Sequence, residues 1–216
     1  MRGSFSSTSD PRRDPLRHLE VFGFLACQYK KLAATLDQHL TSDSQAYDRK
    51  ITKLRVRTAR EDLNSWALKE MYPDAVRYAL FTAMYSQFEH CLNKTCKELE
   101  PMHDKNLSDI KGQGIKRGYD YLKKVAGIMS PFSNSSWQKL MDLNKLRNTI
   151  VHANGVIESA QETGNIVEQI NTWAPLTTKD SRVILSTKFI RTVSDVFHCS
   201  AKELFTVLRS SRWTST

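Results

Sequence analysis

Apolar residues recur every three or four positions through most of this chain, and that spacing is the strongest restriction on its fold. Leu16, Leu19, Phe22, Leu25, Tyr29, Leu32, Ala33 and Leu36 follow the period of an α-helix. The same period returns late in the chain in Phe189, Ile190, Val193, Val196, Phe197, Ala201, Leu204, Phe205 and Leu208, behind Thr187. Glycine (8) and proline (6) are too scarce in 216 residues for the many turns of a β-sandwich. The longest apolar stretch, Val21 to Cys27, is too short to span a bilayer.

The segments between these helices are assigned from breakers and period. A polar run at 41–45 ends the first helix, and an amphipathic basic segment covers Tyr47 to Glu70. Pro73 starts a third helix, where its missing N–H costs nothing, and Ala75 to Leu99 follows. Between Val76 and Phe88 its only charge is Arg77, which predicts a central, buried helix. Residues 100–118 read as a loop, Tyr119 to Ala126 as a short helix, and Trp137 to His152 as a helix capped by Ser135 or Ser136 and stopped at Asn154-Gly155. Gly164 to Ile170 and Arg182 to Ser186 are short and β-branched, which predicts a small β-hairpin or extended excursion. The expected fold is all-α: an up-and-down helical bundle over 16–216, with an insertion at about 156–186 before the last helix. Residues 1–15, rich in Ser, Asp, Pro and Arg, read as a disordered tail without the apolar core of a signal peptide.

Lysine and arginine (32) exceed aspartate and glutamate (23), giving a formal charge of +9. That balance fits phosphate-bearing polymers, anionic membrane surfaces or simply a basic, unspecialised surface about equally, so it supports a nucleic-acid partner without establishing one. Arg49, Lys50, Lys53, Arg55, Arg57 and Arg60 crowd into one segment, readable as a solvated helix face or as a phosphate-contacting strip, with the first preferred. The cysteines at 27, 91, 96 and 199 form no Cys-x-x-Cys pair and the histidines are scattered, so no metal and no cofactor is expected. Reduced cysteines fit a cytoplasmic protein.

The conspicuous chemistry lies on helix 137–152. At roughly 100° per residue, Gln138, Asp142, Lys145 and Thr149 make a wet face, while Arg147 falls inside the apolar arc among Leu140, Leu143 and Val151. Asn144 and Asn148 also interrupt the apolar side. A buried charge stripped of its partner costs about 3–5 kcal/mol. Two explanations are open: Arg147 pairs with a buried carboxylate such as Glu89 and fixes packing, or it faces a cleft or interface and binds phosphate. His152 lies five residues on, about 140° around a regular helix from Arg147. Both can serve one phosphate only if the last turn unwinds or two copies of the helix share a composite site, as a twofold dimer would allow.

The run Leu146-Arg147-Asn148-Thr149-Ile150-Val151-His152 resembles the signature of the HEPN family, an arginine, a polar residue and a later histidine. Tyr85-Ser86-Gln87-Phe88-Glu89, the 109–114 loop and Tyr121-Leu122-Lys123-Lys124 are similar to the setting of that signature, and the resemblance covers about residues 73–160. It implies a homodimer with facing motif helices that cleaves RNA without metal, in toxin–antitoxin or anti-phage defence, under an antitoxin or other regulatory protein and with no membrane partner. On this resemblance Arg147 and His152 match the catalytic pair and Asn148 the polar residue after the arginine; Glu89, the first acid after Ala75 in an otherwise apolar helix, is expected from its place to orient Arg147 or His152. In one branch of the family a tyrosine follows the histidine by two residues; here that position is Asn154. The alternative is a non-catalytic helical module that binds RNA or a partner protein.

Overall fold

A computed structural model describes residues 16–54, 56–132, 134–157 and 162–213. The expected tail at 1–15, part of the insertion and Arg55 lie outside the described residues. The fold is all-α with one small hairpin: α1 (Arg17–Ile51), α2 (Ala59–Trp66), α3 (Tyr72–Leu99), α4 (Gly114–Lys124), α5 (Ser135–Ala153), α6 (Glu162–Asn171), β1 (Leu176–Lys179), β2 (Arg182–Leu185) and α7 (Thr187–Trp213).

The core forms where α1, α3, α5 and α7 bring aromatic rings together. Phe88 of α3 sits at the centre, with ring centroids 5.3 Å from both Phe22 and Phe197 and 6.0 Å from Trp137. All four are buried, and their burial adds to the wider apolar core that ties these helices. The antiparallel packing of α1 on α7 is fixed by polar contacts in register: Asp37 accepts from Thr187, Lys30 pairs with Asp195 at 2.8 Å, and His198 Nδ1 lies 2.9 Å from the Gly23 carbonyl. α3 is central as expected, but Ala79, Ala83, Ser86, Gln87 and His90 leave one of its faces open to water.

The structure differs from the sequence reading in six places. α1 runs unbroken through 41–45, because Thr41, Ser42, Asp43 and Gln45 point to solvent and nothing there obstructs the backbone. A π-helical turn, Ala67–Met71, joins α2 to α3, with the Tyr72 N–H bonding the Ala67 carbonyl, so the wide turn directly precedes Pro73 and its missing donor. α4 begins at Gly114, five residues earlier than expected, and α5 is entered from Asn134 rather than from a serine cap. Residues 164–170 are helical in α6: Ile166, Val167 and Ile170 share one side, and Ile170 is fully buried. The predicted hairpin exists one step later, pairing Leu176 with Leu185 and Lys179 with Arg182.

The end of α5 is tightly defined. Asn154 (φ 50°) and Gly155 (φ 77°) are left-handed, and the Gly155 N–H returns to the Thr149 carbonyl at 3.1 Å. Gly155 then accepts from the Val183 N–H at 2.9 Å, and Arg182 donates to the Asn154 backbone and side-chain oxygens. The hairpin therefore locks the turn that follows the motif helix.

The four cysteines are free thiols. Burial pushes the Cys91 thiol up to about 11 and that of Cys96 to about 12, so both behave as small apolar side chains. No helix among the described residues is long and apolar enough to cross a membrane.

Candidate functional site

Three elements meet beside Arg147. Tyr85 and Glu89 stand one turn apart on α3, Gly114 opens α4, and Asn144 lies three residues before Arg147 on α5. The Tyr85 ring is buried, and its hydroxyl donates to Asn144 Oδ1 at 2.6 Å. A methyl group on Gly114 would lie 3.5 Å from Asn144 Oδ1, 3.7 Å from the Tyr85 hydroxyl and 4.0 Å from Glu89 Oε1, so these groups line one spot at the α4 N-terminus. Burial, and secondarily the Glu89 charge, raise the Tyr85 pKa; the Ile115 N–H and Arg147 oppose them. The phenol is thus held protonated, as a donor.

Arg147 is half-buried. Its guanidinium carbon lies 5.9 Å from the Tyr85 ring centroid, and Nη1 donates to Asn148 Oδ1 at 3.2 Å. Its Nε is shielded from solvent with no hydrogen-bond partner. Among the described residues no carboxylate comes within ion-pair distance of Arg147. Glu89 is a neighbour through Tyr85, and the direct Arg147–Glu89 ion pair of the first sequence explanation is not formed.

His152 occupies the last turn of α5 and is exposed. The helix stays regular to Ala153, so the last turn does not unwind to carry His152 toward Arg147. Within one chain the two remain on opposite flanks of a strip formed by Asn144, Asn148 and Val151. Asn148 and Val151 are open to water, Val151 at 44% exposure.

Asp142 is the clear miss of the helical wheel. Placed on the wet face with Gln138, Lys145 and Thr149, it is in fact only 4% exposed. Burial raises its pKa, against the pull of Gln138, Lys145 and the Trp173 indole. The fold thus binds the Asp142 proton more tightly than the unfolded chain does. Stability is therefore penalised at neutral pH and recovers as pH falls through the raised pKa. Asp142→Asn, which keeps an acceptor but removes the charge, is expected to raise Tm at pH 7. That advantage should vanish below the ordinary carboxylate range, as thermal melts across pH would show.

Sequence reasoning singled out Arg147, Asn148, His152 and Glu89 as candidates but did not see Tyr85 and Asn144 as a bonded pair. A signal was present: Tyr85 and Glu89 are four apart and share a helix face. Among the described residues, no three His, Cys, Asp or Glu side chains converge as a metal-ligand set. No protein-family model, curated protein or solved structure matches this chain.

Proposed function

We propose that this chain is a metal-independent endoribonuclease of the HEPN type, working as a twofold dimer in toxin–antitoxin or anti-phage defence. The observation that carries the reading is Arg147: a half-buried cation, steadied on Tyr85, with a shielded Nε and no carboxylate in reach among the described residues. A cation so placed favours an incoming anion, and a planar guanidinium fits phosphate through paired N–H donors. The resemblance of the 146–152 run to the HEPN signature supplies the polymer and the partner residue.

The chemistry needs only groups of this chain and of RNA. The 2′-hydroxyl is the nucleophile. The imidazole of His152 accepts its proton while the oxygen attacks the adjacent phosphorus, and the imidazolium so formed returns that proton to the 5′-oxygen of the next nucleotide as its bond to phosphorus breaks. Arg147 stabilises the added charge on the phosphate oxygens, with Asn148 steering its guanidinium. The products are a 2′,3′-cyclic phosphate and a 5′-hydroxyl. Because Arg147 and His152 flank a strip of α5 rather than converge, the second copy's α5 supplies the missing half of each site.

The test is incubation with RNA in excess EDTA. Cleavage is expected to persist, to leave cyclic phosphate ends, and to fall by roughly 10²-fold or more in His152→Ala. Activity abolished by chelation would overturn the proposal. RNA binding with no cleavage by the unaltered chain would favour the non-catalytic module instead.

A further inference from the structure

α7 begins at Thr187, against Asp37, yet α1 continues from Gln38 to Ile51, about 21 Å beyond that point. This extension, backed by α2 and the π turn, forms an arm away from the Arg147 site. Tyr47 donates to the Glu61 carbonyl and Lys69 pairs with Asp48 at 2.9 Å, so α1 and its return segment are clamped together.

The arm's charges do not balance. Four of its five acids are engaged: Asp48 with Lys69, Asp62 with Arg57 at 3.4 Å, Glu61 in a capping box with Thr58, and Glu70 with Lys179 at 2.6 Å, which leaves the exposed Asp43 against the cations below. Arg49, Lys50, Lys53 and Arg60 are all exposed, and among the described residues no carboxylate lies within ion-pair distance of them. Beside this cluster, within one turn of Lys69 on either side, Trp66 and Tyr72 stand 48% and 46% exposed. Cations at the end of α1 suit its helix dipole, but that accounts neither for Arg60 at the start of α2 nor for two half-bare aromatic rings.

We propose that this arm is an RNA-docking surface separate from the Arg147 site, made for single-stranded RNA. The four exposed cations take successive phosphates, and Trp66 and Tyr72 offer planes on which unpaired bases stack. An anionic bilayer is the competing occupant, because Leu54, Val56, Leu63 and Met71 are exposed on the same arm, but α2 has only eight residues and carries Glu61, Asp62 and Asn64, shorter and more acidic than the helices that lie in interfaces. The inference takes RNA as the polymer from the proposed function, but requires no cleavage.

The experiment is anisotropy of a labelled oligouridine titrated with His152→Ala protein, which keeps the RNA intact, with and without Lys50→Glu, Lys53→Glu and Arg60→Glu together. Loss of three phosphate contacts should weaken binding by at least tenfold and reduce the slope of log affinity against log salt by roughly 2. Trp66→Ala should weaken binding roughly tenfold. Melting curves check that these exposed changes leave the fold intact. Unchanged affinity and slope in the triple variant would overturn the inference, as would no binding by the parent. So would charge-reversal effects confined to phosphatidylserine vesicles. Arm-dependent RNA binding by a chain that never cuts RNA would sink the nuclease proposal and leave the arm standing; cleavage with arm-independent binding would do the reverse.

Discussion

Gly155→Ala is expected to cost about 3 kcal/mol of folding stability and to lower Tm by roughly 6–12 °C. Two effects add. The position has φ 77°, where a side chain is strained, and a Cβ there would fall 2.1 Å from the Tyr78 hydroxyl oxygen. Tyr78 cannot swing away freely, since it is buried and its hydroxyl donates to the Val183 carbonyl in β2. The same peptide accepts from the Val183 N–H, so a displaced Gly155 also disturbs the anchoring of the hairpin. Gly127 is the matched control: its φ is 66°, but nothing lies within 4 Å of its Cβ position. Gly127→Ala should cost only the backbone strain, about 1 kcal/mol. Chemical denaturation of both variants separates strain from collision, and equal losses would refute the steric account.

The elements that read correctly from sequence are those whose burial follows one period without interruption. α7 and the second half of α3 keep apolar residues on one arc, and Asn154-Gly155 supplies the left-handed conformations that stop α5. Two of the misreadings share a cause, which is that polar residues do not by themselves report what lies opposite them. The 41–45 run looked like a break, yet polar residues on the outer side of a long helix are simply solvated, and the clamp made by Tyr47 and Lys69 comes from distant sequence. Asp142 shared a wheel sector with Gln138 and Lys145, but Trp173, thirty-one residues later, folds over it. The β-branched content of 164–170 favoured a strand, and packing of Ile170 overrode that weak preference.

At the site, the anomaly was legible and its resolution was not. An arginine among Leu140, Leu143 and Val151 had to be explained by a partner or a ligand. Glu89 was the evident carboxylate, but whether a residue one helix away reaches an ion pair depends on rotation about both helix axes. Here Tyr85, one turn earlier on α3, takes the place against the guanidinium. The hydroxyl of that tyrosine is spent on Asn144 and the α4 N-terminus, leaving its ring face for Arg147.

Mixing two inactive chains is expected to restore RNA cleavage. Arg147→Ala and His152→Ala should each lose roughly 10²-fold or more in rate. α5 is regular to Ala153, which holds Arg147 and His152 about 140° apart on one helix. If each site takes its arginine from one subunit and its histidine from the other, a dimer of one Arg147→Ala chain with one His152→Ala chain has one site with both groups intact. Random re-pairing makes about half of all dimers mixed, and activity should return to about a quarter of that of the unaltered protein. If instead each site used both residues from the same subunit, the mixed dimer would hold two defective sites and stay inactive. Subunit exchange at low protein concentration, followed by cleavage assays against each variant alone, reads this directly. Sedimentation of the same samples shows whether the chain is dimeric at the assay concentration. A monomer retaining full activity would remove the composite site, because one regular helix cannot turn both side chains onto a single phosphate.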